Sequence, residues 1–485
     1  MNYRKLSITE LHKAYMNGEI TPLDLIKQVI ADAKKDDNNA FEYISEKEAL
    51  EAVSKLDPTK KDNLLWGVPY VLKDNFSSKD IPTTASSKFL EGYIPTFSSE
   101  TQTRLDEQGA ILIGKTTLDE LAMGGSGITG HLGKTYNPWD KSHTRMIGGS
   151  SCGSAAACSS GLVPLAIGSD TGDSARKPAA YCGIVGFKPT WGRISRYGLF
   201  AFAPSLDHVG YFTRNVKDAA ITLQVLAGRD DKDPTSSHRE VSDYLSSLNR
   251  PLKEKRIAVI TEILEAVKNE KIRRTYIDLL HKLESEGVVI NYVHMDINLC
   301  RAIFPTYAIL SCAEATSNYA GFDGIKFGKR FPSNNYTNIM FETRTKCFSE
   351  RIKRRFVIGS YSLLKENQSE IFLKAQKCRR LIVDATNKIL EENDAIFLPT
   401  APTVAPLFNG PTKDRLSDEA LIADNYLAIA NFGGQPSLSL PIGFDNNLPI
   451  SGNLICKIFD EETLFGLAKR IEDITGLADI IPEEV

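Results

Sequence analysis

The stretch GSDTGDSARKPAAYCG (168–183) sets two serines, Ser169 and Ser174, among small residues and turn formers. A tight polar loop of this kind suits an exposed nucleophile. A serine hydroxyl attacks only when an adjacent base takes its proton, and none of the seven histidines lies within thirty residues of Ser174. Two further features stand out. Lys73 ends the apolar run of GVPYVLKDNF, and the glycine–serine loop IGGSSCGSAAA carries Ser150 near its start. Singly, each has a plain reading: a solvated strand-end lysine, a connector loop, and a serine capping a turn.

Three short motif matches point elsewhere and fail on physical grounds. GAILIGKT (109–116) fits the phosphate-loop pattern, but a phosphate loop needs flexible residues between its glycines. Ala110, Ile111, Leu112 and Ile113 form a buried strand instead. GSGITG (125–130) fits the dinucleotide pattern, yet TTLDELAM before it reads as a helical turn where a strand is required, so a flexible loop is expected. GSSCG (149–153) fits the nucleophile elbow, which needs a preceding buried strand and a later Asp and His. NPWDKSHTRMI is a poor strand and the later histidines stand in polar or helical contexts. A histidine-based hydrolase stays open as an alternative.

With 58 basic and 61 acidic residues the net charge is −3, which gives no electrostatic reason to expect nucleic acid or an anionic membrane as a direct partner. The basic run RIKRR (351–355) reads as a solvated helix face. The eight cysteines form no CxxC pair and no Cys/His cluster with metal-ligand spacing, so no metal is expected and reduced thiols in a cytoplasmic compartment are. The N-terminal residues lack the apolar stretch of a signal peptide. The longest small and apolar run, 155–167, is interrupted by Gly161 and Pro164 and falls short of a membrane span.

The elements that must position these residues can be read from period and punctuation. Ser7 with Glu10, Thr21 with Asp24 (and Pro22 between them), and Ser45 with Glu48 mark three helix starts. WGVPYVLKDNF, GAILIGKTT and LVPLAIGSD read as buried strands followed by polar turns. RIAVI, the helix 269–287 and VVINYVHM repeat that alternation. Much of 300–395 looks helical, and AIFLPTA, PSLSLPIGF and GNLICKI supply late strands. The pattern predicts an α/β fold with helices on both faces of a sheet. The polar connector 228–240 marks a possible subregion boundary.

Order and spacing together carry a resemblance. GVPYVLKDNF, GAILIGKTTLDELAMG, NPWD, GGSSCGSAAA and the long segment 168–210 resemble the amidase signature family, from about residue 7 to about residue 475, with Ser150 and Ser174 at that family's separation of 24 residues. The resemblance implies a single amidase-signature domain over 1–485 with a large mixed central β-sheet covered by helices on both faces. Its parts are a helical N-terminal region (1–60), a signature core (61–230), a mostly helical substrate-side subregion (245–395) and a C-terminal return to the core (396–485). It also implies a Ser–Ser–Lys relay: Ser174 as acyl nucleophile, Ser150 as bridging hydroxyl and Lys73 as general base, with backbone N–H groups of Thr171, Gly172 and Asp173 facing the oxyanion. A lysine serves as a base only when neutral, and bringing its amine from ~10.4 to ~7–8 by desolvation costs roughly 3–4 kcal/mol. A hydroxyl both donates and accepts, so Ser150 can pass a proton. Asp170 and Arg176 would pair to hold the nucleophile loop.

Within that family the likeness is greatest to the glutaminase members that serve tRNA-dependent amidotransferases, on the segments 193–210, 313–328, 350–361, 424–441 and 459–476. This implies glutamine as substrate, cleaved to glutamate and ammonia through an acyl-serine. Arg355 would grip the α-carboxylate, Asp424 the α-ammonium, Tyr307 would line the site, and the turn Met123-Gly124-Gly125 would close over the amide. Ammonia would pass to the B subunit of such a complex, which activates glutamyl-tRNA with ATP and magnesium. A small C subunit would lie between the two in a heterotrimer. No cofactor is implied for this chain, and tRNA would be held mainly by the partner. Three residues depart from the family pattern: Asp173 for a glycine, Cys152 for a glycine and Lys177 for a glutamine. The alternatives are a stand-alone amidase on small or aryl amides, and an inactive scaffold with the same fold.

Overall fold

The computed structural model describes residues 2–251, 253–410 and 414–482. Eleven strands form one sheet: β1 (Phe41–Ile44), β2 (Pro69–Lys73), β3 (Ile111–Thr116), β4 (Leu165–Asp170), β5 (Val185–Lys188), β6 (His208–Thr213), β7 (Arg256–Ile260), β8 (Val289–Val293), β9 (Ala395–Pro399), β10 (Ser437–Asp445) and β11 (Leu448–Cys456). Their spatial order is β1-β3-β2-β4-β6-β5-β10-β11-β9-β7-β8. Pairing is mixed. β2 runs parallel to both β3 and β4, while β4–β6 and β10–β11 are antiparallel. The expected α/β architecture with a large mixed sheet is the one observed.

Helices cover both faces, and the alternation of side chains along the strands shows why. Tyr70, Leu72, Leu165 and Ile167 enter one apolar core, together with helix residues such as Leu223 and Phe465. Val71, Ile111, Ile113 and Ala166 enter a second core, with Leu11, Val29 and Ala156 from helices on the opposite face. Successive residues of a strand point to opposite faces, so strands covered on both sides must be apolar throughout. Every residue of β2, β3 and β4 is buried. This explains why GAILIGKT is no phosphate loop.

All three expected helix starts are observed, two of them with a side-chain cap. Ser7 and Glu10 form a reciprocal capping box, and Thr21 accepts from Asp24 N with Pro22 opening the helix. Ser45 precedes the helix Glu46–Ser54 but makes no capping hydrogen bond. The polar connector 228–240 is fastened to the core rather than loose. Arg104 donates to the carbonyls of Leu226, Ala227 and Arg229, and Ser195 donates to the buried Asp230. Asp230 and Asp233 within it serve as internal acceptors.

Parallel pairing aligns the carboxyl ends of β2 and β4, with Leu72 opposite Ile167. Lys73 therefore ends its strand beside Gly168 and Ser169. Function gathers where parallel strands end and the chain turns away.

Candidate active site

Lys73 is fully buried, and its Nζ donates to three serine hydroxyls: Ser150 Oγ at 2.7 Å, Ser151 Oγ at 2.9 Å and Ser169 Oγ at 2.9 Å. Burial pulls its amine from 10.5 down to about 7, against the upward pull of Cys152, Asp119, Asp170 and Asp207. Cys152 exerts that pull only as a thiolate. Burial pushes this thiol up to about 12, so it stays neutral near pH 7 and adds no charge beside the lysine.

The three hydroxyls are not equivalent. Ser151 Oγ gives its hydrogen to the Ser169 carbonyl (3.0 Å) and accepts from Ser169 N (3.2 Å), so toward Lys73 it can only accept. Ser169 Oγ also accepts from Asn75 Nδ2 at 3.1 Å. Ser150 Oγ, at the shortest distance, has no other partner among the described residues. An ammonium would donate to all three. A neutral amine keeps two N–H bonds, which Ser151 and Ser169 can receive, and one lone pair, which Ser150's O–H can fill. The pocket thus accommodates both protonation states, and the neutral one can accept from Ser150.

Ser174 sits in the loop between β4 and the helix Arg176–Cys182. Its carbonyl accepts from Ser151 N at 3.3 Å, which joins this loop to the Ser150 loop. Of the expected relay, the Lys73–Ser150 link is present. No hydrogen bond joins Ser150 Oγ to Ser174 Oγ among the described residues. The N–H groups of Gly172, Asp173 and Ser174 donate to no protein acceptor among the described residues, which leaves them free to face a developing anion.

Asp170 and Arg176 hold the loop as expected. Arg176 donates to both carboxylate oxygens of Asp170 (2.9 and 3.1 Å), to the Gly172 carbonyl (2.8 Å) and to Asn431 Oδ1 (2.7 Å). Burial alone would raise Asp170, but Arg176 outweighs it and keeps the carboxyl well below the usual range. Thr171 donates to Asp207 at 2.7 Å. Gly172 must be glycine for a reason of space: a Cβ there would lie 2.8 Å from the Tyr307 ring. This places Tyr307, from the helix Ile297–Asn318, directly against the nucleophile loop.

Met123, Gly124 and Gly125 come to the same site through Asp119, a residue the sequence did not single out. Its carboxylate accepts from the N–H groups of Ser126, Gly127, Ile128 and Thr129 at 2.9–3.2 Å, and its own N–H donates to the Ser150 carbonyl at 3.1 Å. The GSGITG loop expected to be flexible is wound around an anion. A Cβ at Gly124 or Gly149 would strike that carboxylate. The available signal was an acid just ahead of a glycine-rich turn. Ser151 and Asn75, likewise missed, offered only their proximity in sequence to Ser150 and Lys73.

The proposed substrate-end residues are also gathered, with differences. Arg355 lies in the helix Glu350–Leu363, and its guanidinium sits 5.8 Å from the Phe202 ring centroid. The RIKRR run is thus split: Arg351 and Arg354 are exposed, Ile352 is buried and Arg355 is half-buried. Asp424 is half-exposed and already paired, because Lys177 Nζ donates to its Oδ1 at 2.8 Å and also to its carbonyl. Lys177 reaches Asp173 as well, at 3.5 Å.

The site is thus a fully buried lysine bonded to three serine hydroxyls at the carboxyl ends of parallel strands in a mixed sheet. The chain belongs to the amidase family: the family model described as Amidase matches residues 24–465. Among curated proteins it is 38% identical to the A subunit of glutamyl-tRNA(Gln) amidotransferase from Sulfurihydrogenibium sp. (strain YO3AOP1), over 100% of both chains. It is equally 38% identical to the protein of that name from Pediococcus pentosaceus, over 100% of this chain and 99% of the relative. Among solved structures, the corresponding glutamyl-tRNA(Gln) amidotransferase protein from Thermotoga maritima superposes with a TM-score of 0.82 at 33% identity, covering 99% of this chain and 98% of that one. A bacterial aryl acylamidase of the amidase signature family shares the fold, with a TM-score of 0.84 at 20% identity. No described helix is long and apolar enough to cross a membrane, and no metal-ligand cluster occurs among the described residues.

Proposed function

We propose that this chain is the glutamine-hydrolysing subunit of a cytoplasmic tRNA-dependent amidotransferase. The observation that carries the chemistry is a lysine amine lowered to about 7, bonded to Ser150 at 2.7 Å, beside a loop whose N–H groups are unspent. Ser174 Oγ attacks the side-chain amide carbon of glutamine while its proton moves through Ser150 to neutral Lys73. In free enzymes such hydrogen bonds are often long and tighten when substrate binds, so the Ser150–Ser174 link forms in the complex. The tetrahedral oxyanion lies against backbone N–H groups of the loop 171–174, those of Gly172 and Asp173 among them. Lys73 then returns the proton through Ser150 to the leaving nitrogen, ammonia departs, and water cleaves the acyl-Ser174 ester by the same route to give glutamate.

Arg355 takes the α-carboxylate through its planar fork, Tyr307 lines the site, and Met123-Gly124-Gly125 closes over the amide. Asp424 receives the α-ammonium by the carboxylate face that Lys177 leaves open. The names of the relatives support a division of labour in which ammonia passes to the B subunit, where Glu-tRNA(Gln) is amidated using ATP and magnesium. The C subunit makes up the heterotrimer. The tRNA is held mainly by the partner. Release of ammonia from glutamine, measured for the chain alone and co-expressed with its partners, tests this, and turnover that requires partners is the expected result. The pairing of Asp424 with Lys177 favours one second reading, a stand-alone amidase for substrates lacking an ammonium. Hydrolysis of aryl amides without hydrolysis of glutamine would establish it.

A further inference from the structure

Two of the residues that depart from the family pattern meet in space. Asp173 stands next to the nucleophile, and Lys177 follows one helical turn later, where Lys177 N donates to the Asp173 carbonyl at 2.8 Å. Their side chains lie 3.5 Å apart, and Lys177 spans onward to Asp424 at 2.8 Å, 247 residues away in the chain. The Lys177 side chain is nearly buried while that of Asp173 is one-quarter exposed. The other charged and titratable groups around Asp173 are Asp170 and Arg176, already satisfied by each other, Tyr181, and Tyr307 with Arg355 beyond it.

We propose that Lys177 is a positioning residue that makes the acid at 173 compatible with catalysis and sets the charge of the substrate's ammonium site, an inference that rests on the glutaminase reading above. An unpaired carboxylate next to Ser174 opposes the negative charge that forms on the oxyanion, and the effect is strong where water is excluded. Lys177 draws that carboxylate toward itself and offsets its charge. It offsets Asp424 at the same time, so Asp173 and Lys177 enter as a neutral pair. Two acids and one cation leave the group at −1, the charge that Asp424 alone would present to an ammonium. Each residue by itself unbalances the site; together they do not.

The test is a four-cornered comparison in the complex with its partner subunits: the unaltered chain, Lys177→Gln, Asp173→Asn and the double variant. Two readouts are taken, glutamine hydrolysis and the rate at which a fluorophosphonate modifies Ser174. In the second reaction Ser174 Oγ forms a bond to phosphorus, fluoride leaves and the serine proton passes to Lys73, so it probes nucleophile and oxyanion donors without an ammonium. Lys177→Gln is expected to lower kcat and the modification rate roughly tenfold or more, with KM unchanged or lower. Asp173→Asn is expected to leave the modification rate high and raise KM for glutamine roughly tenfold, because the ammonium then meets a neutral site. The double variant is expected to recover both. A purely structural role predicts losses that add, with no recovery, and that result or two silent single variants would overturn the proposal. Absence of glutamine turnover in the unaltered chain would remove the glutaminase reading, while the fluorophosphonate arm would still decide the role of Lys177: recovery in the double variant supports it and equal rates refute it.

Discussion

The lysine base can be tested by pH, because the structure gives both the position and the size of the effect. A fall from 10.5 to about 7 in the Lys73 amine corresponds to ~5 kcal/mol at roughly 1.4 kcal/mol for each tenfold change. That is the penalty for holding an ammonium in this pocket. Activity with respect to free enzyme should follow the neutral fraction, so kcat/KM rises about tenfold per pH unit below 7 and levels above it. Stability carries the same signature with a definite sign. The unfolded chain keeps this proton up to ~10.4 and the folded one releases it near 7, so between those values the unfolded state binds more protons and stability rises with pH. Below 7 both states are charged, and the full cost of ~5 kcal/mol is present without slope. Lys73→Met removes the titrating group. The difference in unfolding free energy between the native sequence and Lys73→Met, measured by denaturant from pH 6 to 9.5, isolates this one group from all others. It should be flat to about 7 and then climb in favour of the native sequence by ~1.4 kcal/mol per pH unit. A kcat/KM profile already level at pH 5.5, or a stability difference independent of pH throughout, would show that the amine is not held near neutrality and would end the case for a lysine base.

Further outcomes follow from the same geometry. Ser150→Ala removes the hydroxyl nearest to Lys73 Nζ, one with no other partner among the described residues, and should lower kcat by about 10²–10⁴ with little change in KM, measured by ammonia release. Gly172→Ala would drive a methyl to 2.8 Å from the Tyr307 ring; thermal unfolding should register a loss of ~1–3 kcal/mol, and truncating Tyr307 to Leu should return part of it. Arg176→Met strands the buried Asp170 carboxylate and should cost about 3–5 kcal/mol. Because Arg176 holds Asp170 below its unfolded value, the pair's stabilisation is complete above the ordinary carboxylate range and is lost only as pH falls far below it. The gap between variant and native sequence should therefore narrow in strong acid, as followed by denaturant titration.

What the sequence determined by itself was local, and for a physical reason. The apolar runs of β2, β3 and β4, the caps at Ser7 and Thr21, and the placement of Lys73 at a strand end are encoded by residues within a few positions of one another, where period and propensity act. The pattern of Lys73, Ser150 and Ser174 could be seen as an order and a spacing, and so could the family it resembles. That Ser45 fails to cap, and that 228–240 is clamped rather than loose, depended on partners outside those windows. Only the tertiary structure decided the surroundings of the Lys73 amine, because the hydroxyls that receive its N–H bonds lie 77, 78 and 96 residues away and meet it through the adjacency of β2 and β4. The same holds for Asp119, whose hydrogen-bond donors are supplied by a turn that no periodicity describes, and for Lys177, whose partner Asp424 comes from the far end of the chain. Burial sets the charge state of such groups. It is a property of everything packed around them, and no stretch of sequence near a residue contains it.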